Sequence, residues 1–301
     1  MESLLQLGID LIIAIQQIQG PALNNIFRAI TFLGEADFYL LLLPLIFWCV
    51  DSGLGARLAI LVLFSSYLNV DLKDLFQQPR PFDTNPSVQL SDVEGYGLPS
   101  GHTQTSTVFW ASIAIRAHKM WFSVVAIVLV VMIGFSRIYL GVHFPTDVLA
   151  GWLIGGALLG LYLVLAPRIS RKLAQLRLRF QVLLALAVPL ALLLIHPVDH
   201  TSYLMGTLAG IALGLALAHR YISWGIHGPW WHRALRFLIG SAVLFTLNIV
   251  LKVVVPSEDG TAFHLILRFL GSGIIGMWVS LGAPWLFRIL QLVPKSEKNE
   301  G

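Results

Sequence analysis

Charged residues are scarce in this chain, and cysteine is nearly absent. Of the 301 residues, 12% are charged and one is cysteine, whereas 56% are hydrophobic. An ordinary soluble domain carries about 25% charged residues, so the composition excludes a soluble globular protein. The single Cys49 has no second cysteine to pair with, and no internal disulfide can form.

Long apolar runs take the place of the missing charge. The mean hydropathy is +0.77, and runs near the length of about 20 residues that a bilayer core requires repeat along the sequence. We therefore predict an all-α, polytopic integral membrane helix bundle. The formal net charge of +4 is not gathered in a solvated basic domain, so we expect no nucleic-acid partner.

The apolar runs predict a series of spans that follows two interfacial helices. Leu4–Gln19 is amphipathic, and Pro21–Phe32 is a second short helix. Neither is predicted to cross the bilayer. We also expect no cleavable signal peptide, because the first residues lack a positively charged region. The candidate spans cover residues 36–50, 57–75, 102–117, 121–135, 147–166, 181–195, 202–218, 236–254 and 263–290.

These segments divide the chain into four parts. The expected parts are the N-terminal interfacial helices (1–34), a core (35–166), additional transmembrane helices (167–293) and a polar cytoplasmic tail (294–301).

Lysine and arginine indicate how the chain is oriented. Most of the 20 basic residues, including the run from Arg168 to Arg179, fall on one side of the predicted spans. The positive-inside rule makes that side cytoplasmic. Polar clusters on the opposite side therefore face away from the cytoplasm, and we expect the protein in a bacterial inner membrane.

Three polar clusters fall on the non-cytoplasmic side. They are Lys73–Pro81 at the end of one span, Tyr96–His102 at the start of the next, and Ser136–Asp147 between two later spans. Ionisable groups at membrane depth are costly and mark functional sites. The topology therefore predicts one site built from three separate segments.

The residues of these clusters suit phosphoryl transfer. Lys73, Arg80 and Arg137 can neutralise phosphate oxygens, and arginine does so through two parallel hydrogen bonds. Ser100 and Gly101 open a predicted helix, where free backbone N–H groups and the helix dipole favour an anion. Such a set stabilises charge in the transition state, so we expect no metal and no cofactor.

The third cluster also supplies a nucleophile. Pro145 suits the first turn of a helix, so we predict a helix that begins there, with His143 just before it and Asp147 in its first turn. The carboxylate can then reach one imidazole nitrogen and leave the other free to attack.

The three clusters resemble the signatures of the type-2 phosphatidic acid phosphatase superfamily. The matching patterns are Lys73-x6-Arg80-Pro81, Pro99-Ser100-Gly101-His102 and Ser136-Arg137-x5-His143-x3-Asp147. The resemblance covers about residues 36–166 and implies a six-helix core. It implies that His143 forms a phosphohistidine, that Asp147 orients it, and that His102 protonates the leaving group and then activates water. It also implies phosphate binding by Lys73, Arg80, Ser100, Gly101 and Arg137.

The resemblance leaves the end of the chain unexplained. Residues 167–301 extend past the six-helix core by about four spans. Vanadium-dependent haloperoxidases share the signatures and hold vanadate in place of phosphate, but they are not polytopic membrane chains.

The expected activity is hydrolysis of a membrane lipid phosphate or diphosphate. Isoprenoid diphosphate is our first choice of substrate, and phosphatidic acid, phosphatidylglycerol phosphate and a sphingoid-base phosphate are alternatives. A lipid phosphotransferase would pass the phosphate of His143 to an alcohol instead of water. A non-enzymatic transporter or scaffold would keep the core for its shape alone.

Overall fold

The structure, a computed structural model, describes residues 2–222, 225–255 and 261–293. Within these residues the regular structure is helical and contains no strand. A 3-10 turn (Pro86–Val88) and a π-helical turn (Trp278–Gly282) interrupt the α-helices. The helices are α1 (Glu2–Gln16), α2 (Pro21–Phe32), α3 (Ala36–Cys49), α4 (Ser52–Phe76), α5 (Pro81–Thr84), α6 (Gly101–Ala117), α7 (Met120–Tyr139), α8 (Pro145–Gln175), α9 (Leu178–Ile195), α10 (Asp199–Tyr221), α11 (Trp230–Val254), α12 (Ala262–Met277) and α13 (Ala283–Ile289).

The helices confirm the predicted membrane architecture. Among the described residues, 7 helical stretches are long and apolar enough to cross a bilayer, or up to 8 if α2 and α3, bent by 47°, form one span. Eight of the nine predicted spans coincide with one α-helix each, and the ninth, residues 263–290, covers α12, the π-helical turn and α13. The helix α8 begins at Pro145 as expected. The helix α6 has 17 residues and buries a polar stretch from Thr103 to Ser106, so it is short for a span.

One compact unit comprises Met1–Tyr39 and Leu68–Ala166. Within it, α1 and α2 pack against the end of α7. The Phe27 ring stacks on Tyr139 with 4.1 Å between ring centroids, and the Tyr139 hydroxyl donates to Asn24 Oδ1 at 2.6 Å. Gln16 Nε2 donates to the carbonyls of Val88 and Tyr139, both at 2.8 Å. The N-terminal helices therefore hold Tyr139, the last residue of α7, in place.

The other compact unit comprises Leu40–Tyr67 and Pro167–Gly301. Its helices α10 and α12 approach closely because glycines line their contact. A Cβ atom placed on Gly206 would lie 2.2 Å from the Phe269 carbonyl oxygen, and one on Gly210 would lie 2.0 Å from the Gly273 carbonyl oxygen. Small residues of this kind let helix backbones touch in membranes.

Alanine at Gly210 is expected to lower the thermal stability of the protein in detergent. The new methyl group meets a backbone oxygen that cannot move independently, so the helices must separate, at a cost of about 3 kcal/mol. Gly160→Ala is the matched control, because a Cβ on that helical glycine meets nothing within 4 Å. That change should be neutral or stabilise by about 0.5 kcal/mol. Equal melting temperatures for both variants would contradict the close packing of α10 on α12.

Candidate active site

Backbone hydrogen bonds join the three polar segments of the first unit. The Gly97 N–H donates to the Gln78 carbonyl at 2.8 Å, which links the second segment to the first. The Ser100 N–H donates to the Asp147 carbonyl at 3.0 Å, which links the second segment to the third. The end of α4, the start of α6 and the turn between α7 and α8 therefore meet at one place.

His143 and Asp147 form a buried pair at the start of α8. Their side chains are 1% and 0% exposed, and His143 Nδ1 lies 3.3 Å from Asp147 Oδ2. The same oxygen accepts from the Phe144 N–H at 2.9 Å. Burial, together with the cations Arg137 and Arg80, lowers the pKa of His143 well below its usual range. The imidazole is therefore neutral, and with its proton on Nδ1 it carries a free electron pair on Nε2.

Arg80 lies beside the free nitrogen of this histidine. Its Nη1 is 3.4 Å from His143 Nε2 and donates to the Val142 carbonyl at 2.9 Å. Its Nε and Nη2 donate to the carbonyls of Gly95 at 2.6 Å and Glu94 at 2.8 Å. The guanidinium is thus fixed by backbone oxygens, with Nη1 turned toward the His143 ring.

Lys73 lies in a more exposed part of the same site. Its Nζ donates to the Tyr96 carbonyl at 2.6 Å. It acts on His143 as a positive charge, although less strongly than Arg137 or Arg80. In this structure Lys73 is therefore bound to the loop that precedes α6.

Two buried side-chain nitrogen atoms at this site have no hydrogen-bond partner among the described residues. They are Arg137 Nε and His102 Nε2. Arg137 is 2% exposed, and its Nη1 donates to Thr31 Oγ1 at 2.6 Å. Its charge acts directly on His102. An unpaired buried donor costs about 1–3 kcal/mol, so two such atoms within electrostatic reach of each other favour a bound anion.

The start of α6 adds backbone donors. Ser100 is the N-cap residue and is fully buried, and its Oγ accepts from Thr103 Oγ1 at 2.9 Å. A Cβ on Gly101 would lie 2.9 Å from Asn69 Oδ1, so Asn69 packs closely against this turn. Asn69 Nδ2 also donates to the Pro99 carbonyl at 3.2 Å. The first N–H groups of the helix have no partner within it and suit an anion.

Besides Asn69, sequence reasoning missed three residues that contact the site. Gln78 donates to Asp147, and Thr31 accepts from Arg137. Gly34 lies against His102, since a Cβ there would be 3.1 Å from the imidazole Cδ2. The position of Gln78 between Lys73 and Arg80 was a usable signal. Thr31 and Gly34 belong to no motif and had no signal in the sequence.

Thr31→Val is expected to weaken inhibition by orthovanadate, a phosphate analogue, about tenfold. Valine has nearly the same shape but removes the acceptor of the buried Arg137 guanidinium, and a hydrogen bond to a charged group contributes about 1.5–3 kcal/mol. Thr31→Ser keeps the hydroxyl and should bind vanadate as the wild type does. If both variants lost vanadate inhibition equally, the shape of the side chain, and not its hydroxyl, would be what matters at this position.

Comparison with known proteins places this arrangement in a family. Residues 54–171 match the family model described as the PAP2 superfamily, and residues 202–297 match that of the PAP2 superfamily phosphatase, transmembrane extension. Phosphatidylglycerophosphatase B of Bacillus subtilis (strain 168) is 36% identical over 157 residues, which are 46% of this chain and 72% of that protein. The chain belongs to the PAP2 superfamily. The match to the transmembrane extension covers the additional C-terminal helices from α10 to α13, and α9 lies between the two matches.

Other PAP2 relatives match a smaller share of their own length. Lipid phosphate phosphatase delta of Arabidopsis thaliana is 31% identical over 184 residues, which are 54% of this chain and 43% of that protein. The chain therefore matches less than half the length of the plant relative. A crystal structure of a transmembrane PAP2-type phosphatidylglycerolphosphate phosphatase from Bacillus subtilis has a TM-score of 0.50 at 28% identity, covering 56% of this chain and 89% of that one.

The PAP2 family model leaves part of the site unmatched. It begins at residue 54, so Thr31 and Gly34 lie outside it, whereas all the residues predicted from the motifs lie within it.

Proposed function

We propose that this chain is an integral-membrane lipid phosphatase that acts through a phosphohistidine at His143 and needs no metal. The observation that carries the proposal is the pair of unpartnered buried nitrogens, Arg137 Nε and His102 Nε2, close to a neutral imidazole. A phosphate group would accept from both atoms. Arg80 and Arg137 would neutralise its oxygens, and Lys73, Ser100 and Gly101 would complete the cradle.

In the first step, His143 Nε2 attacks the phosphorus. An N–P bond forms while the bond from phosphorus to the leaving oxygen breaks, and the electron pair stays on that oxygen. Bound phosphate, as an anion beside the ring, favours the protonated form of His102, which then gives its proton to the leaving oxygen. Asp147 keeps the Nδ1 proton of His143 in place and stabilises the positive charge that develops on the ring.

In the second step, water replaces the histidine. His102, now neutral, takes a proton from water as the water oxygen bonds to phosphorus. The N–P bond breaks, and its electron pair returns to His143 Nε2. Inorganic phosphate leaves, and both histidines regain their starting states.

We propose a membrane lipid with a terminal phosphate as substrate. Related proteins bear names that specify a lipid phosphate, phosphatidylglycerophosphate, sphingosine-1-phosphate or undecaprenyl diphosphate. A site at the ends of α4, α7 and the start of α8 suits a head group whose tail stays in the bilayer. Isoprenoid diphosphate remains our first choice within this class.

We also propose that the site lies on the non-cytoplasmic face of a bacterial inner membrane. The helix α8 begins at the site and ends among the exposed residues Arg168, Arg171 and Lys172. The positive-inside rule assigns that basic end to the cytoplasm, so its other end faces the opposite side.

The decisive experiment measures phosphate release by the purified protein in detergent with EDTA present. The lipid panel contains an isoprenoid diphosphate, phosphatidic acid, phosphatidylglycerol phosphate and a sphingoid-base phosphate, and His143→Ala is assayed in parallel. We expect release that survives EDTA and is absent in the variant. Added acceptor alcohols distinguish hydrolysis from phosphotransfer, because only the transferase would form a new phosphate ester.

Either of two results would overturn the proposal. One is no phosphate release from any lipid in the panel. The other is equal release by the wild type and His143→Ala. A phosphorylated alcohol as the main product would favour the phosphotransferase instead.

A further inference from the structure

The carboxylate of Asp147 is bound on both of its oxygens by different segments. Oδ2 faces His143 Nδ1 at 3.3 Å and accepts from the Phe144 N–H at 2.9 Å. Oδ1 accepts from Gln78 Nε2 at 2.6 Å. The contact with Gln78 is thus shorter than the contact with the histidine that Asp147 orients. A short N–H···O bond to a carboxylate is among the stronger hydrogen bonds in proteins.

The backbone around Gln78 directs its side chain to this carboxylate. The preceding Gln77 has φ of +47°, and its N–H donates to the Lys73 carbonyl at 2.9 Å, which ends α4. On the other side, the Gln78 carbonyl accepts from the Gly97 N–H at 2.8 Å. Gly97 also approaches the pair, since a Cβ there would lie 3.0 Å from Asp147 Oδ2. Gln78 is therefore fixed between the first and second segments.

An amide is well suited to this contact. Its N–H group donates to the carboxylate without adding charge, and the donation favours the ionised form of the acid. With Gln78 on Oδ1 and the Phe144 N–H on Oδ2, rotation of the Asp147 carboxylate would break one of these bonds. Besides the bond from the Phe144 N–H, Oδ2 can accept a second hydrogen bond, and His143 Nδ1 lies 3.3 Å from it.

We propose that Gln78 is a positioning residue that holds the Asp147 carboxylate in the orientation in which it serves His143. It acts through Asp147 and does not touch the phosphate. The inference rests on the proposed phosphatase function and extends it beyond the residues that the motifs supply.

The experiment compares two replacements of Gln78 with a neighbouring control. Gln78→Leu removes the donor at similar size, and Gln78→Glu replaces the amide by a carboxyl group of the same shape. Gln77→Asn is the control, because Gln77 is exposed and asparagine tolerates its positive φ. For each purified variant, kcat and KM are measured from about pH 5 to pH 8 on the panel lipid that the wild type cleaves fastest, and thermal unfolding verifies folding.

We expect Gln78→Leu to lower kcat about tenfold to a hundredfold with little change in KM, because misorientation of a reacting group has effects of this size. At neutral pH, Gln78→Glu should be at least as impaired, since its carboxylate repels that of Asp147. At acidic pH the introduced carboxyl group holds a proton and can donate it in a hydrogen bond to Asp147. Its kcat relative to that of Gln78→Leu should therefore rise as the pH falls. Gln77→Asn should match the wild type.

The inference is overturned if both Gln78 variants stay within about twofold of wild-type kcat, well below the tenfold effect that corresponds to 1.4 kcal/mol. It is also overturned if the ratio of the kcat of Gln78→Glu to the kcat of Gln78→Leu does not change with pH, since a purely structural role of Gln78 predicts that result. Should Gln78→Leu fail to fold, the pH dependence of Gln78→Glu against the wild type decides the question. Failure of the underlying function looks different, because the wild type would then be inactive or indistinguishable from His143→Ala.

Discussion

Replacement of His143 by glutamine is expected to abolish phosphate release from every ester, whereas His102→Gln should spare esters with good leaving groups. Without His143 no covalent intermediate forms, and loss of a nucleophile lowers kcat by at least about 10⁴-fold. In the proposed mechanism His102 gives a proton to the leaving oxygen, and such a transfer contributes about 10²–10⁴-fold to the cleavage of alkyl phosphates. An aryl phosphate such as para-nitrophenyl phosphate leaves as a stable anion and should depend much less on His102.

The measurement is kcat for each variant on a lipid phosphate and on para-nitrophenyl phosphate. His227→Gln is a suitable control, because this histidine lies exposed in the other compact unit. If His102→Gln lost equal activity on both substrates, the role of His102 as acid would be contradicted. Residual activity of His143→Gln on either substrate above the background of the assay would contradict its role as nucleophile.

Alanine at Gly141 is expected to inactivate the protein although Gly141 carries no catalytic group. Gly141 has φ of +70° in the turn between α7 and α8. A Cβ atom there would lie 1.8 Å from the Val88 carbonyl oxygen, which also accepts from Gln16 Nε2. The turn that carries His143 must then move, and we expect a loss of about 100-fold in kcat and of about 3 kcal/mol in the free energy of unfolding.

Gly95→Ala separates the two causes of this loss. Gly95 has φ of +71°, nearly the same as Gly141, but a Cβ on it would meet nothing within 4 Å. Its alanine variant should be destabilised only by the strain of a left-handed residue, which lowers the free energy of unfolding by about 1–2 kcal/mol. Thermal unfolding of the two variants checks the difference. Equal destabilisation would show that backbone strain alone, and not the contact with Val88, accounts for the effect at Gly141.

The helical architecture and the motif residues could be predicted because their signals are local. In an apolar chain each ionisable residue is conspicuous, and Lys73, Arg80 and Arg137 all stood at the ends of predicted spans. Pro145 predicted the first turn of α8, and the structure confirms that the helix begins there. The roles of these residues in catalysis stay predictions until the variants are assayed.

The partners that orient these residues could not be predicted. Thr31 and Gln16 are neutral residues far from the motifs in sequence, and Gln16 reaches the Tyr139 carbonyl across 123 positions. Arg80 was expected to bind phosphate through two parallel hydrogen bonds, yet its Nε and Nη2 donate to the carbonyls of Gly95 and Glu94. Backbone carbonyls carry no residue-specific signal, so no pattern in the sequence could indicate these bonds.

The packing of α1 and α2 on the end of α7 determines where the chain can be shortened. A truncation that starts with the family match at residue 54 would keep every motif residue. It would nevertheless remove Thr31, whose hydroxyl accepts from Arg137. It would also remove Gln16, whose amide donates to the Val88 and Tyr139 carbonyls. Motif content is therefore a poor guide to a minimal active version of this protein. Relatives with identical motifs but different leading helices should differ in how firmly they hold phosphate.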